Sequence, residues 1–488
     1  MIDKSFSMSA LAAGLLLLCC PAGAQQMTAE QPQSASVEDT SAQTLVLTLE
    51  DALKIALSEN VSVKVADMEV ERVGYARKGT YGQLLPSVDA TGTYSRTIKK
   101  QVMYMDFDMS SFGGGDAADA SGGTASDEGS SSAMSSKDGF EVGRWNTYSA
   151  GVSVAMPLIN AQLWENIKIS GQNVELAVEQ ARSSRLETVT QVKQAYYGVL
   201  LAKEAFEVYK SVYENAMANF RQTEKRYNAR KASELEYTRA KSTVQNAIPN
   251  VYDAESSVIL GLWRLKAVMG IDLDREIDVA GSLSDYAAQM FRDIHENDDF
   301  SLEGNSSLRQ LAIQADQLAS AIRLNQYAYL PTLSLAFSYS MNAMTNDFKF
   351  ADYKWSPYSA VNFSLSIPIF SGGQRLNAVR QSRKQYDELE LRRQDTERQL
   401  RISIRQYLNQ METYMKNYHA AESGVETAAK AYDIAVKSYN LGKSTITELN
   451  DAQLALTQAR LGSSQAIYNF VVAKSNLEQT LGFDTESE

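Results

Sequence analysis

A six-residue motif occurs twice in this chain, and its repetition is the strongest constraint on the fold. Residues 226–231 read RYNARK, and residues 438–443, which lie 212 positions later, read SYNLGK. The pair Met269-Gly270 returns at the same offset as Leu481-Gly482. Repetition at a fixed offset indicates an internal duplication. Because each copy is far longer than a solenoid repeat, we expect two large pseudo-symmetric halves.

Alternating apolar and polar residues predict one β-hairpin in each half, because successive side chains of a strand point to opposite faces. The first hairpin spans residues 87–156 and the second spans residues 332–367. Between residues 333 and 341, for example, odd positions are apolar and even positions are small or polar. Proline is excluded from the interior of a ladder, and four prolines bracket the predicted strands: Pro86, Pro157, Pro331 and Pro368.

The first hairpin carries an insertion. Its bracketing prolines are 71 residues apart, whereas those of the second hairpin are 37 residues apart. The additional residues fall in the segment 105–137, which is acidic and rich in glycine and serine. A low-complexity segment of this kind does not bury a core, so we predict a surface loop.

Long helices follow both predicted hairpins. Residues 163–226 contain no proline, and neither do residues 374–438. In the second stretch Ile404, Tyr407 and Met411 begin a run of apolar positions that alternates steps of three and four, which is the period of a coiled coil. A helix of about 64 residues would be roughly 96 Å long. The repeated Tyr-Asn motif then predicts a turn, and a second helical pattern runs back from it.

The remaining segments complete the predicted domain organisation. Residues 1–24 resemble a signal peptide, because Lys4 precedes an apolar run from Ala10 to Cys20 and Ala22-Gly23-Ala24 fits an A-x-A cleavage site. Lipidation at the Cys19-Cys20 pair is the alternative. Both cysteines of the chain lie in this leader, so we expect no disulfide in the mature protein. The other predicted segments are a flexible N-terminal segment (25–44), a first repeat (45–270), a connector (271–305), a second repeat (306–482) and a C-terminal tail (483–488). Each repeat begins with a helix, and the first is expected from Leu49 to about Gln83.

Composition argues against several functional classes. The net charge of −12 disfavours nucleic-acid binding. The two histidines, His295 and His419, are far apart in sequence, and no phosphate-binding, zinc-protease or nucleophile-elbow motif is present. We therefore expect no enzymatic activity, no cofactor and no metal site. After the leader no apolar run reaches the length of a membrane-spanning helix.

Four half-apolar strands are difficult to accommodate in a single chain. Each is about as long as a transmembrane β-strand. Four strands cannot close a barrel, and an open sheet edge cannot face lipid. Several copies are therefore expected to share one barrel, and three copies would give the even number of twelve strands. The predicted fold class is mainly α with a β-barrel portion.

The order and repetition of these landmarks resemble the TolC-like outer-membrane efflux protein family. The resemblance is carried by Leu84-Leu85-Pro86 before a strand, by residues 368–373 (PIFSGG) at a strand-to-helix junction, and by residues 439–443 with Thr447-Glu448-Leu449 at a helix turn. It implies a homotrimer in which a twelve-stranded barrel in the outer membrane continues as a coiled-coil helical tunnel through the periplasm. It also implies contact with outer-membrane lipid, a periplasmic adaptor (membrane fusion) protein and an inner-membrane transporter of the RND type.

The resemblance assigns four residues to a periplasmic gate at the narrow end of the tunnel. Glu448 and Asp451 match acids that line the lumen after the helix turn, and Glu236 is their counterpart in the first half. Tyr439 matches a tyrosine that latches neighbouring helices, with Glu236 as its expected partner. The alternative is that these residues have only structural roles. The acids would then lie on a solvent-exposed helix face, and Tyr439 would pack at a heptad position.

The outer surface of the same turns is expected to contact the adaptor. Gly442 would supply a left-handed turn conformation that other residues resist. The sequence departs from the family pattern at Ala229-Arg230, which replaces the usual hydrophobic-glycine pair, and at Ser444, where a basic residue is common. The proposed adaptor-contact residues are Tyr227, Arg230, Lys231, Leu441, Gly442 and Lys443.

The predicted function is a passive, gated exit duct of a tripartite efflux system that carries small molecules or drugs out of the cell. Two alternatives stay open. The first is the outer-membrane channel of a type I protein secretion system. The second is a periplasmic coiled-coil adaptor without a pore.

Overall fold

The computed structural model describes residues 45–103, 140–287, 301–349 and 352–483. Several predicted segments lie outside these residues. They are the signal peptide (1–24), the flexible segment (25–44), the insertion (105–137) and, except for Phe483, the C-terminal tail.

Two structural repeats follow one another along the described chain. Each contains an initial helical segment, two long strands of the main sheet and a long helical hairpin, and the first repeat has three additional short strands. The first repeat contains β1 (Leu45–Leu47), α1 (Leu49–Glu59), α2 (Val61–Gly82), β2 (Ser87–Arg96), β3 (Gln101–Met103), β4 (Phe140–Val142), β5 (Asn146–Ile159), α3 (Ala161–Asn228) and α4 (Glu234–Met269). The connector forms β6 (Ile277–Val279) and α5 (Ser284–Ala287). The second repeat contains α6 (Ser306–Tyr327), β7 (Thr332–Thr345), β8 (Ser356–Ser366), α7 (Gln374–Asn440) and α8 (Ile446–Leu481). At 68 residues, α3 is roughly 100 Å long.

The single helix predicted from Leu49 to about Gln83 is wrong, because the chain breaks at Asn60. Asn60 has an extended backbone conformation (φ −60°, ψ 130°) and separates α1 from α2. Its side-chain oxygen accepts hydrogen bonds from the backbone N–H groups of Ser62 and Val63. Asparagine competes well for such local backbone groups, so it caps a new helix where apolar periodicity alone suggests continuity.

The strands form one antiparallel sheet in the order β2-β5-β7-β8. Its register places apolar residues side by side across the whole sheet. Val88 of β2 pairs with Val154, Val154 pairs with Phe337, and Phe337 pairs with Val361 of β8. The sheet therefore has one continuous apolar face, which a single copy leaves uncovered: Val361 is 59% exposed and Val88 is 68% exposed. β2 and β8 also each have one edge without a neighbouring strand in this sheet.

Pro157 lies inside β5, whereas the sequence pattern placed it at the end of the strand. The pairing of β5 with β7 shifts register between Pro157 and Ile159. Pro157 itself pairs with Ser334, and Leu158 is the residue left out of the ladder. The proline therefore lies directly beside a bulge, where strand pairing is irregular.

The connector contains a strand that sequence periodicity did not reveal. β6 pairs in parallel with β1 at the start of the first repeat. The Tyr196 hydroxyl on α3 lies 2.6 Å from the carbonyl oxygen of Ala280 and 3.2 Å from that of Leu47, so it ties both strands to the long helix. Burial raises the pKa of Tyr196 to about 12. Tyr196 belongs to the main hydrophobic core, which lies around α1, α3, α4 and α8.

In each repeat, one asparagine near the start bonds to the end of the last helix. The Asn60 amide donates a 2.6 Å hydrogen bond to the carbonyl oxygen of Val268 in the last turn of α4. Asn305, which caps α6, donates a 2.7 Å bond to the carbonyl oxygen of Thr480 in the last turn of α8. Each asparagine therefore caps the start of one helix and the end of another. We call these two contacts the asparagine clamps.

A left-handed glycine completes each clamp. Gly270 follows α4 with φ 74°, and Gly482 follows α8 with φ 75°. An added Cβ atom at Gly270 would lie 2.6 Å from the carbonyl oxygen of Glu59, and one at Gly482 would overlap the carbonyl oxygen of Gly304. The Arg182 guanidinium donates hydrogen bonds to the carbonyl oxygens of both Gly304 and Gly482. These contacts place the same landmark glycines in the same structural role.

Candidate functional site at the helix turns

The two helical hairpins end in turns with the same hydrogen-bond pattern. After α3, the Lys231 N–H donates to the carbonyl oxygen of Arg226 at 2.7 Å, and the Arg230 N–H donates to that of Tyr227 at 2.8 Å. After α7, Lys443 and Gly442 make the equivalent bonds to residues 438 and 439. This pair of bonds is the Schellman motif, which satisfies the last carbonyl groups of a helix. The repeated sequence motif is therefore a repeated helix stop.

The two turns differ at the position that needs a left-handed conformation. Gly442 has φ 71°, and its counterpart Arg230 has φ 60°. Within the described residues Arg230 is the only non-glycine residue with a positive φ. A left-handed conformation costs an L-residue about 1–2 kcal/mol. The departure at Ala229-Arg230 thus keeps the turn geometry but adds strain and a positive charge.

Replacing Arg230 with glycine is expected to stabilise the protein. Glycine relieves the left-handed strain, but it also makes the unfolded chain more flexible, which offsets part of the benefit. The free energy of unfolding should therefore rise by about 0.5–1 kcal/mol. The midpoint of chemical unfolding, followed by far-UV circular dichroism in detergent, measures this gain. Gly442→Ala is the matched change in the second turn and should lower the midpoint. A lower midpoint for Arg230→Gly would contradict the assigned strain.

Capping boxes start both returning helices. The Glu236 carboxylate accepts a 3.2 Å hydrogen bond from the Ser233 backbone N–H, and the Ser233 hydroxyl accepts one from the Glu236 N–H. Thr445 and Glu448 repeat the arrangement at 3.0 and 3.3 Å. The spacing S/T-x-x-E is the sequence signature of this motif. It could have been found from the sequence, and it gives Glu236 and Glu448 a structural role.

Asp451 differs from these two acids. Its carboxylate is exposed and takes no part in the capping box of α8. Glu448 lies one helical turn before it on the same face of α8 and is also exposed. The pair therefore presents two carboxylates to whatever faces this side of the helix. Their assignment to a lumenal gate stays a prediction.

The expected contact between Tyr439 and Glu236 is not found within the chain. Tyr439 is 2% exposed and packs with Ala240, Ile446 and Leu449. Its hydroxyl lies 2.7 Å from the Thr223 hydroxyl of α3. The physical reason is local, since the capping box holds the Glu236 carboxylate at its own helix start. Within one chain Tyr439 links the two helical hairpins through Thr223.

Arg226 strengthens the same link, and sequence reasoning missed it. Its guanidinium lies over the Tyr439 ring, 5.5 Å from the ring centroid, in a cation–π contact. It also donates a 3.4 Å hydrogen bond to the carbonyl oxygen of Tyr439. Arg226 belongs to the repeated motif, but its counterpart is Ser438, so the duplication alone gives no hint of this role.

The six predicted adaptor-contact residues are all exposed at the two turns: Tyr227, Arg230, Lys231, Leu441, Gly442 and Lys443. Leu441 is the most open apolar side chain of the set, at 71% exposure. Tyr227 stacks on Tyr237 of α4 with ring centroids 5.0 Å apart. The structure therefore presents these residues on one accessible end of the helical hairpins, and the contact itself stays a prediction.

In the part of the chain that the structure describes, no group of three or more His, Cys, Asp or Glu side chains is arranged to hold a metal ion. None of the helices in the described ranges combines the length and apolar character needed to cross a membrane.

Comparisons with known proteins identify the family. The model of the outer membrane efflux protein family matches residues 52–271 and 299–483, which cover most of the first repeat and all of the second. The outer membrane protein TolC of Vibrio cholerae is 20% identical over 70% of this chain and 78% of its own length. The alkaline protease secretion protein AprF of Pseudomonas aeruginosa is 22% identical over 70% of this chain and 71% of its own length.

The solved structures include a channel with the same fold. The CmeC outer membrane channel of Campylobacter jejuni superposes with a TM-score of 0.68 at 16% identity, covering 90% of this chain and 87% of CmeC. This likeness confirms the predicted fold class, and the matched families are channels and not enzymes. With the family model covering most of the first repeat and all of the second, the chain belongs to the outer membrane efflux protein family, and its place is the bacterial outer membrane.

Proposed function

We propose that three copies of this chain form a passive exit duct through the outer membrane. The observation that carries the proposal is the four-stranded sheet with one apolar face and two unpaired edges. Pairing β8 of one copy with β2 of the next satisfies the edges, and three copies give twelve strands, an even count as in most outer-membrane barrels. The apolar face would then contact outer-membrane lipid, and the serine- and threonine-rich face would line water.

The helical hairpins would continue this pore into the periplasm. Because α3 is roughly 100 Å long, its turn lies far from the sheet at the other end of the helix. A gate at this end would be formed by Glu236, Tyr439, Glu448 and Asp451. Tyr439 supports this proposal, because it couples the second hairpin to the first through Thr223.

We infer that the transported molecules are small molecules or drugs delivered by an inner-membrane transporter of the RND type through a periplasmic adaptor. The sequence contains no nucleotide-binding motif, so the driving force would come from the partner. A second candidate is protein export, since one relative is named an alkaline protease secretion protein. A pore-less adaptor is disfavoured, because it has no use for a sheet with an apolar outer face.

The shared barrel can be tested by cysteine cross-linking. Thr91→Cys on β2 would be combined in turn with cysteine at Asn362, Ser364 or Ser366 of β8, since these positions share the polar face of the sheet. Oxidation should yield a covalent trimer for at least one pair, and no cross-link in any single variant. Both native cysteines lie in the predicted leader. Absence of a trimer for every pair, with a monomer in gentle detergent, would contradict the duct.

Removing the two α8 acids is expected to weaken block of the pore by multivalent cations. Glu448→Gln keeps the capping box, because glutamine also serves at that position, and Asp451→Asn preserves size. The double variant should need at least about tenfold more La³⁺ for half block in planar-bilayer recordings, because each copy loses two charges. Glu426→Gln with Asp433→Asn removes two acids from α7 and should leave block unchanged. Equal block in both variants would show that the α8 acids do not line the pore and lie instead on a solvent-exposed face of the helix.

The cargo classes can be separated by phenotype. Deleting the gene should raise susceptibility to small toxic compounds if the duct serves drug efflux. Loss of a secreted protein from the medium, with unchanged susceptibility, would favour the secretion channel instead.

A further inference from the structure

The turn of the first helical hairpin carries an unusual charge for this chain. Residues 221–241 contain seven basic and three acidic residues, a net charge of +4, although the whole chain carries −12. The equivalent residues 433–453 of the second repeat contain two basic and three acidic residues, a net charge of −1. The two turns therefore have the same backbone geometry, but the net charges around them have opposite signs.

Six cations of the first turn are exposed and make no ion pair with any residue that the structure describes: Arg221, Lys225, Arg230, Lys231, Arg239 and Lys241. We call this surface the basic tip. The second hairpin is different, because Lys430 pairs with Glu426 at 2.6 Å and Lys437 pairs with Asp433. These two cations are thus neutralised by acids one helical turn away. Two acids, Glu234 and Glu236, lie in the first turn of α4, and the Glu236 carboxylate is held there by the capping box.

Apolar side chains are interspersed with these cations. Leu235 is 59% exposed and Tyr227 is 38% exposed. Exposed aromatic and aliphatic anchors among charges are typical of protein-binding surfaces. The basic tip also retains Arg230 in a strained conformation where glycine would fit better, as described above, so the charge is present at a cost in stability.

We propose that the basic tip is the main docking surface of the chain, and that its partner is a protein whose exposed helical end carries acidic side chains. This inference rests on the proposed function, in which the helix turns meet a periplasmic adaptor. An acidic partner would neutralise like charges that otherwise repel each other, and such complementarity governs both association rate and specificity. Lipid of the outer membrane is a poor candidate, because the tip lies roughly 100 Å from the sheet along α3.

The test uses the full-length trimer in detergent and two synthetic helical-hairpin peptides of equal length. One peptide carries glutamate around its turn, and the other carries glutamine at the same positions. Fluorescence anisotropy should show tighter binding of the glutamate peptide. Arg230→Gly with Lys231→Gln should weaken that binding about tenfold, and higher salt should weaken it for the unmodified protein. Lys430→Gln with Lys437→Gln, the matched control among the paired cations of the second hairpin, should change the affinity less than about twofold.

The same variants distinguish a failed inference from a failed duct. Because Arg230→Gly relaxes the turn, weaker binding cannot be ascribed to a disrupted fold. Equal affinity for both peptides, or an equal loss in both double variants, overturns the basic tip while leaving the duct intact. If the Arg230→Gly/Lys231→Gln variant instead changes single-channel conductance, the cations pair with acids of a neighbouring copy, and the inference is wrong. Binding to phosphatidylglycerol vesicles in place of the glutamate peptide also overturns it. Absence of any conductance in the unmodified protein would refute the duct itself.

Discussion

Gly482→Ala is expected to destabilise the protein by about 3–5 kcal/mol, the largest effect of any single methyl group that we predict. Gly482 has φ 75°, so alanine would adopt a left-handed conformation. Its Cβ atom would also overlap the carbonyl oxygen of Gly304. The backbone must then separate, which breaks the hydrogen bonds that Arg182 donates to both glycines. The unfolding midpoint in denaturant, followed by the helical circular dichroism signal, measures the loss.

A second glycine of the same helix provides the control. Gly462 lies inside α8, is exposed and has no atom within 4 Å of an added Cβ. Gly462→Ala should therefore raise the unfolding midpoint, because alanine is favoured over glycine in a helix interior by about 1 kcal/mol. Gly270→Ala, at the first asparagine clamp, should resemble Gly482→Ala. If Gly482→Ala and Gly462→Ala behave alike, the close approach of residues 304 and 482 is wrong.

Tyr439→Ala is expected to cost about 3–5 kcal/mol, because it removes a fully buried aromatic ring. Thr223 would lose its hydroxyl partner, and Arg226 would lose the ring beneath its guanidinium. If the helix turns close the duct, this loss should also raise the conductance of the resting channel in planar bilayers. Tyr227→Ala is the matched control, since it changes the equivalent tyrosine of the first repeat, which is exposed.

The hydroxyl pair can be isolated by a double-mutant cycle. Thr223 donates to the carbonyl oxygen of Asn219 at 2.9 Å, so the Tyr439 hydroxyl is the donor of the 2.7 Å bond to Thr223. Tyr439→Phe and Thr223→Val should each cost about 1–3 kcal/mol, because each leaves a buried partner unsatisfied. The double variant should cost clearly less than the sum of the two. Strict additivity would show that the hydroxyl groups do not interact.

Features that extend over many residues could be predicted from the sequence, whereas a helix break made by one side chain and a three-residue strand pair could not. The alternation in β7 and the proline-free stretches of α3 and α7 extend over many residues, so the fold class followed from them. The break at Asn60 depends on one side chain that competes for backbone groups. The β1–β6 pair has three residues on each side, which is too short for any periodicity. The end of β5 was predicted too early, at Pro157, because the strand continues through a bulge at Leu158, directly after the proline.

At the candidate site, too, some features could be predicted from sequence patterns and others could not. Residues at the two turns were found because the motif repeats, and the structure exposes all six predicted tip residues. The roles of Glu236 and Glu448 were read only as charge, although S/T-x-x-E is also a capping signal. The partner of Tyr439 was misassigned, because Thr223 lies 216 positions away on another helix and no local pattern connects the two. Such contacts depend on how the hairpins pack.

The uncovered face and unpaired edges of the four-stranded sheet affect the stability of a single copy before assembly. A newly exported copy exposes the apolar face of the sheet and two edge strands with unpaired backbone groups. Such edges readily pair with other extended polypeptides. Its two edge strands, β2 and β8, can gain their missing ladder partners only from sister subunits, so the stability of the barrel depends on subunit concentration. A copy that has not yet met its sister subunits is therefore expected to aggregate readily.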